Sequence, residues 1–364
     1  MKGKPTMREI ELFVPGRLCL FGEHADWAGE YRRVDPRLLP GYCLAVGTDQ
    51  GIYATAHPQT DGLTVVSTLP NGQRIGPFHH RMEVSTLRAA ARGGDFHSYC
   101  AGVACYMQEH YGVGGLFVNS PSMDLPIRKG LSSSAAICVL MARAFNRAYD
   151  LGLTIRQEME AAYQGEIMAL SRCGRMDQVC AYGGIPVFLT FDGDEMEIEK
   201  VIPQKRVPMV IVDLKEGKDT RKILADLNAC FPDTEGEVAA GVRRALGPVN
   251  QRILFQARQA LEAGDGQALG QLMSEAQTIF DTLIAPACLS QLIAPKLHRV
   301  LAHAAAKELA WGGKGVGSQG DGSAQFVARG PEEQRELMHR LSTELDVACL
   351  PLTIEARTGD QDVE

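Results

Sequence analysis

Residues 126–136 read PIRKGLSSSAA, and this stretch decides the fold. It joins a glycine turn and three serines to a segment in which Ile137, Leu140, Met141, Ala144, Phe145 and Ala148 recur at three- and four-residue spacing, the pattern of one buried helical face. The helix is therefore expected to begin near Ser132. A helix start presents unpaired N–H groups and the positive end of the macrodipole, so an anion there is stabilised without a basic side chain. Serine hydroxyls add hydrogen bonds, and one of them can ligate Mg²⁺. The stretch reads as a polyphosphate site. The plainer alternative, that Ser132 merely caps a helix, is equally open on this stretch alone.

Around the motif, the chain has the composition of a soluble enzyme. Its 364 residues favour two domains, and the texture changes between Pro203 and Pro208, which sets the division at 1–203 and 204–364. Hydrophobic residues at 45% and charged residues at 22% are ordinary for globular proteins and argue against long disorder or a fibrous repeat. A net charge of −7 disfavours a nucleic-acid partner, whose phosphates call for a concentrated basic face. The opening MKGKPTMREIELFV lacks the pattern of a secretory signal, and no apolar run has membrane-spanning length, so no membrane partner is expected. The ten cysteines are scattered without a CxxC pair or a Cys/His cluster, which suits reduced thiols in the cytoplasm and not a zinc site.

The secondary structure expected from periodicity is mixed. IELFVPGRLCLFG, YCLAVGTDQGIYATAHP, LTVVSTL and GGLFVNSP read as strands, and a helix is expected over Phe96–Tyr111. A second helix should start after Thr154, where Thr154 and Gln157 have capping-box spacing. GGIPVFLTFDG returns to strand, with MEIEKVIP as its hairpin partner. After the strand VPMVIVDL comes a long, mostly helical region through about Ala310, then a terminal strand pair, GSAQFVAR and VACLPLTI, flanking a helix at 331–345. Strands and helices occur in both halves without regular βαβ alternation, so the fold class is α+β.

Several residues stand out chemically. In PGRLCLFGEHADWAG, alternation along the strand places Arg17 on the side of Cys19 and Phe21, where a cation needs a partner. The turn after the strand carries Glu23, His24, Asp26 and Trp27, a mixture that suits a polyhydroxylated ligand, although taken alone a solvated surface turn is the favoured reading. Glu166 falls within the apolar stripe Met159, Ala162, Tyr163, Ala169 and Leu170, so its carboxylate must be ion-paired or metal-bound. Asp177 in CGRMDQVCAYGG is either the cap of a short helical turn or a group that orients and deprotonates a substrate hydroxyl. GGKGVGSQGDGSAQFV, 312–327, has the glycine density of a loop that closes on phosphate or on another loop, without a Walker A order.

PGRLCLFGEHADWAG, PIRKGLSSSAA, GRMDQ and GVGSQGDGSA together resemble the three signature motifs and the catalytic aspartate of the GHMP kinases, the superfamily of galactokinase, homoserine kinase and mevalonate kinase. The resemblance runs from about residue 10 to 330. It implies an N-terminal ribosomal-protein-like α+β domain, a C-terminal ferredoxin-like α+β domain, and ATP with Mg²⁺ as cofactors. By the same resemblance Lys129, Gly130, Leu131, Ser132, Ser133, Ser134 and Ala135 would bind ATP, and Ser133 with Glu166 would hold the metal. Asp177 would be the base, Arg17 would stabilise the developing alkoxide as in galactokinases, and Glu23, His24, Asp26 and Trp27 would contact the acceptor. Two departures are Arg128 with Lys129, where relatives often carry glycines, and Asp321 beside the third motif, an acidic group that phosphate would repel.

GEHAD with tryptophan and MDQ look like the sugar kinases, whereas VDLKEGKDTRKIL looks like the mevalonate branch. Asp26 would repel a carboxylate substrate, which favours a monosaccharide phosphorylated at its anomeric hydroxyl. The alternatives are a mevalonate-type hydroxy acid as acceptor and a sensor that binds sugar and nucleotide without turnover. The expected partner is a small molecule, and the chain is expected to act as monomer or homodimer.

Overall fold

The structure is a computed structural model that describes residues 9–60, 62–127, 129–171 and 173–356. Arg128, one of the two departures in the serine motif, lies outside the described residues. The chain is a mixed α+β protein of two compact units, Met1–Arg17 with Gly47–Gly183 and Leu18–Val46 with Gly184–Glu364.

In the first unit, strand β1 (Ile10–Phe21) leads in and the helix α1 (Ala25–Glu30) follows it within the second unit. Strand β2 (Gly41–Gln59) is long enough to serve two neighbours. Its residues 52–59 pair antiparallel with β5 (Gly115–Met123), and its residues 41–45 pair antiparallel with β6 (Val187–Asp192). β3 (Leu63–Thr68) lies parallel to β5 and antiparallel to β4 (Arg74–His80). Helices α2 (Val84–Ala91), α3 (Phe96–Tyr111), α4 (Ser133–Ala148) and α5 (Ile155–Met168) pack on one another beside these strands.

The helix boundaries follow local chemistry. Asp95 and Ser98 form a reciprocal capping box that starts α3, and Gly112 ends it in the left-handed conformation. Thr154 and Gln157 do the same for α5, as their spacing requires. α4 buries every residue from Ala135 to Ala142 and also Ala144 and Phe145, so this part of the helix is enclosed nearly all round and not along the single face expected from the sequence. α3 and α5 cross where Gly102 meets the carbonyl of Gly165, so a Cβ at either position would strike backbone. Gly165→Ala is therefore expected to lower unfolding stability by about 1–3 kcal/mol through overpacking. An unchanged urea midpoint would show that the crossing can relax.

In the second unit β6 forms a hairpin with β7 (Glu195–Lys200), as expected. A four-stranded antiparallel sheet follows, in the order β11 (Ala348–Ile354), β8 (Val207–Asp213), β10 (Ser323–Ala328), β9 (Ala310–Gly315). Between β8 and β9 along the chain come helices α6 (Thr220–Asn228), α7 (Glu237–Arg244), α8 (Asn250–Ala263) and α9 (Gly266–Ile279), then short helices α10 (Leu289–Leu292), α11 (Pro295–Leu301) and α12 (Ala304–Leu309). α13 (Pro331–Glu344) buries Leu337 and Leu341 against Val210, Val212 and Phe326 of the sheet.

Three expectations change. The terminal strands β10 and β11 are not partners, because β8 lies between them and pairs with both. The glycine-rich stretch is not loop throughout: its first part is strand β9, which packs under α9 so closely that a Cβ on Gly312 would strike the carbonyl of Gly270. Close packing thus overrides the poor strand propensity of glycine. The acidic turn after β1 contains the helix α1, too short for its periodicity to be legible in sequence.

Candidate active site

In the first unit the serine motif folds back on β1. The backbone N–H of Arg17 donates to the carbonyl of Leu131 at 2.9 Å, which sets the Arg17 side chain at the start of α4. Ser132 occupies the N-cap position but does not cap: its backbone is left-handed, at φ 54°, and its hydroxyl accepts instead from the Arg17 guanidinium at 2.6 Å. A non-glycine residue held in that conformation costs roughly 1–3 kcal/mol, and such strain collects at functional sites. The same guanidinium forms an ion pair with Asp177. Arg17 is buried and Asp177 remains partly open, with the side chains 6% and 23% exposed. Asp177 is the first residue of a 3₁₀ turn, Asp177–Tyr182, whose N-cap is Met176, so the capping alternative for Asp177 does not apply.

Glu166, fully buried on α5, has neutral partners. Its carboxylate accepts from the Gln178 amide at 2.9 Å and from the Ser171 hydroxyl at 3.3 Å, and Ser134 also hydrogen-bonds to it. Among the described residues no cation lies within ion-pair range of it, which leaves the ion-pair alternative without support. Burial and then the charge of Asp177 push the Glu166 carboxyl up to about 6, against the opposing hydrogen bonds. The thiol of Cys173 is raised well above its ordinary value by burial, Glu166 and Asp177. The Gln178 side-chain oxygen is buried without a hydrogen-bond partner. The Glu166 carboxylate, the unpartnered Gln178 oxygen and the Ser134 hydroxyl are oxygen groups of the kind a hard divalent cation takes. Among the described residues there is no group of three or more Cys, His, Asp or Glu that could hold a metal.

The second unit gathers the other predicted residues. Glu23 is buried and forms an ion pair with Lys314, itself 1% exposed. His24 is buried with a left-handed backbone at φ 69°, and Trp27 donates its indole N–H to Nδ1 of His24 at 3.2 Å. Burial, then the charges of Lys218 and Lys314, lower the His24 pKa to about 3. Asp26 is buried in the first turn of α1. Glu23, Phe280, Lys314 and Gln319 line a largely apolar cavity of about 60 Å³. The loop from β9 to β10 is clamped by Lys218, whose ammonium donates to the carbonyls of Gln319 at 2.6 Å and Val316 at 3.2 Å.

The structure thus brings Arg17, Ser132, Ser134, Glu166 and Asp177 together in one unit and Glu23, His24 and Trp27 in the other. Lys129 and Gly130 lie half-buried in the bend before α4, Leu131 is buried, and Ser133 and Ala135 stand in the first turn of α4. Asp321 has a role the sequence did not offer: its carboxylate accepts from the backbone N–H of Leu297 at 2.8 Å and so secures the first turn of α11. Sequence reading missed Lys314 and Lys218. A buried lysine amid glycines is a legible signal only when β9 is recognised as a strand.

Residues 98–184 match the family model for the GHMP kinases N terminal domain. The chain is 27% identical over 295 residues to a galactokinase from Thermococcus kodakarensis, covering 73% of this chain and 76% of that protein. The fold is similar to that of the mevalonate kinase of Methanococcus jannaschii, with a TM-score of 0.69 at 18% identity over 98% of this chain and 100% of that one. It is also similar to the galactokinase of Lactococcus lactis crystallised with galactose, with a TM-score of 0.71 at 15% identity over 96% of this chain and 94% of that one. The matched domain and the fold likeness agree with the motifs read in the sequence: residues 98–184 carry a GHMP kinases N terminal domain, on a fold shared with mevalonate kinases and galactokinases.

Proposed function

We propose that this protein is an ATP-dependent sugar kinase that transfers the γ-phosphoryl group to a monosaccharide hydroxyl, the anomeric one by analogy with galactokinases. The observation that carries the reading is the Arg17 guanidinium bound at once to Asp177 and to Ser132 at the head of α4. It ties a carboxylate base to the motif proposed for the phosphates. Asp177 accepts the proton of the acceptor hydroxyl as its oxygen bonds to phosphorus and the bond to the ADP oxygen breaks. Arg17 keeps that carboxylate oriented and offsets charge on the oxygen. Phosphoryl transfer through a loose transition state asks mainly for this positioning and charge stabilisation.

In this reading residues 129–135 hold the ATP phosphates, and Glu166 with Ser133 or Ser134 holds Mg²⁺. When bound, the cation neutralises charge on the phosphate oxygens. Glu23, His24 and Asp26 serve the acceptor. The division at 203/204 is supported by the strands: β1–β7 end at Lys200 and the second sheet begins at Val207.

A second reading, a hydroxy-acid acceptor of the mevalonate kind, draws on the charges of Lys218 and Lys314 acting at His24, a field that favours a carboxylate. A panel of neutral monosaccharides, sugar acids and mevalonate, assayed for ADP release with Mg·ATP, separates the two. Turnover of a neutral sugar is the expected result. Activity on mevalonate alone would replace the sugar reading with the second, and nucleotide and sugar binding without turnover would make the chain a sensor.

A further inference from the structure

We infer that Trp27 is a positioning residue that locks the imidazole of His24 with Nε2 as a hydrogen-bond donor, so that the acceptor molecule must present an oxygen acceptor there. This rests on the assignment of His24 to the acceptor site. The indole N–H can only donate, so the ring nitrogen it meets at 3.2 Å, Nδ1, must be the bare acceptor nitrogen. A neutral imidazole then carries its single proton on Nε2. That atom is buried and has no hydrogen-bond partner among the described residues, and His24 as a whole is only 5% exposed. An unpaired buried N–H costs roughly 1–3 kcal/mol, which a ligand oxygen would recover. The imidazole stays neutral across the physiological range, because burial and two lysines disfavour its charged form.

The surroundings explain why tryptophan does this. Its ring stands edge-on to Phe231 and to Tyr31, with centroids 5.3 and 6.3 Å apart, and it packs against the apolar cluster around Leu227 and Val242. Phe280 stacks on the other ring, with its centroid 6.4 Å from that of His24. The indole is fixed on one side by this cluster, and the imidazole is pinned between the indole N–H and Phe280. The left-handed backbone at His24 is the strained turn that turns the ring inward. Trp27 therefore acts on the ligand through His24 and not through the face of its own ring.

Trp27→Phe tests this, since it keeps an aromatic ring for Phe231 and Tyr31 while removing the N–H together with part of the ring's bulk. KM for the acceptor should rise about 3- to 10-fold, the worth of one hydrogen bond, with kcat nearly unchanged. Nitrogen-15 NMR of ring-labelled histidine in the unliganded full chain at pH 7 should show His24 as the Nε2–H tautomer with a hydrogen-bonded Nδ1. In Trp27→Phe the Nδ1 hydrogen-bond signature should vanish. An Nδ1–H tautomer or an imidazolium in the wild type would overturn the inference, as would an unchanged KM in Trp27→Phe, which would mean that the aromatic face alone matters. The NMR arm needs no substrate, so it decides this point even if the panel finds no sugar kinase activity.

Discussion

Asp177→Asn should lower single-turnover phosphoryl transfer about 100- to 10,000-fold, the usual worth of a positioned general base, while nucleotide binding changes little. Asparagine keeps an oxygen acceptor for Arg17 but can neither take the proton nor offset the guanidinium charge. Arg17 is only 6% exposed, so an uncompensated cation would be left in a dry position. A loss of stability should therefore accompany the loss of rate, and the two must be separated. Thermal unfolding and nucleotide binding of the same preparation do this: a folded, nucleotide-binding and inactive variant is the expected result. Unchanged turnover would remove Asp177 from the mechanism, and a variant that fails to fold would shift the experiment to Asp177→Glu, which retains the charge and displaces it.

Glu166→Gln should raise the Mg²⁺ concentration needed for half-maximal activity at least 10- to 100-fold, since even partners one shell out from a metal cost that much when lost. The sign of the accompanying stability change is the more telling result. Burial holds the Glu166 carboxyl at about 6 in the folded protein, above its ordinary value of 4.5. A raised carboxyl binds its proton more tightly when folded, so this group's contribution is most favourable below the unfolded pKa and is lost as pH rises through the folded one. Above pH 6 the ionised, buried carboxylate costs the metal-free protein about 2 kcal/mol, from 1.36 kcal/mol per pKa unit. Metal-free Glu166→Gln should therefore be no less stable than the wild type at pH 8, and the wild type should gain stability between pH 7 and pH 5 while its Mg²⁺ affinity falls. Urea unfolding in chelator at these pH values reads both signs. A variant that unfolds at every Mg²⁺ level would mean that Glu166 is a structural carboxylate and holds no metal.

Much of this centre was visible before any coordinates. Glu166 declared itself because a carboxylate inside an apolar stripe must be satisfied by something, and helices α3 and α5 were bounded by caps whose chemistry is local. Ser132 was visible as a helix start, but nothing local distinguishes a serine that caps from one that turns to an arginine 115 positions away. The same limit hid Lys314. Its burial depends on the sheet that β9 joins and on Glu23, 291 positions earlier in the chain. Asp321 read as a misplaced charge beside a phosphate loop until its partner, the backbone of Leu297, was known.

The sequence by itself determined the α+β class, the helix that begins at the serines, the residue types of the site and the family they resemble. Each of these rests on spacing within one element or on an ordered set of motifs, and both are written along the chain. Only the tertiary structure decided which serine meets Arg17, that Glu166 accepts hydrogen bonds from Gln178 and Ser171, that Lys314 neutralises Glu23 and that Trp27 addresses Nδ1 of His24. Those facts depend on contacts between segments far apart in sequence. Such contacts are set by how apolar faces pack, and that packing sums over the whole core and leaves no periodic trace in any one segment.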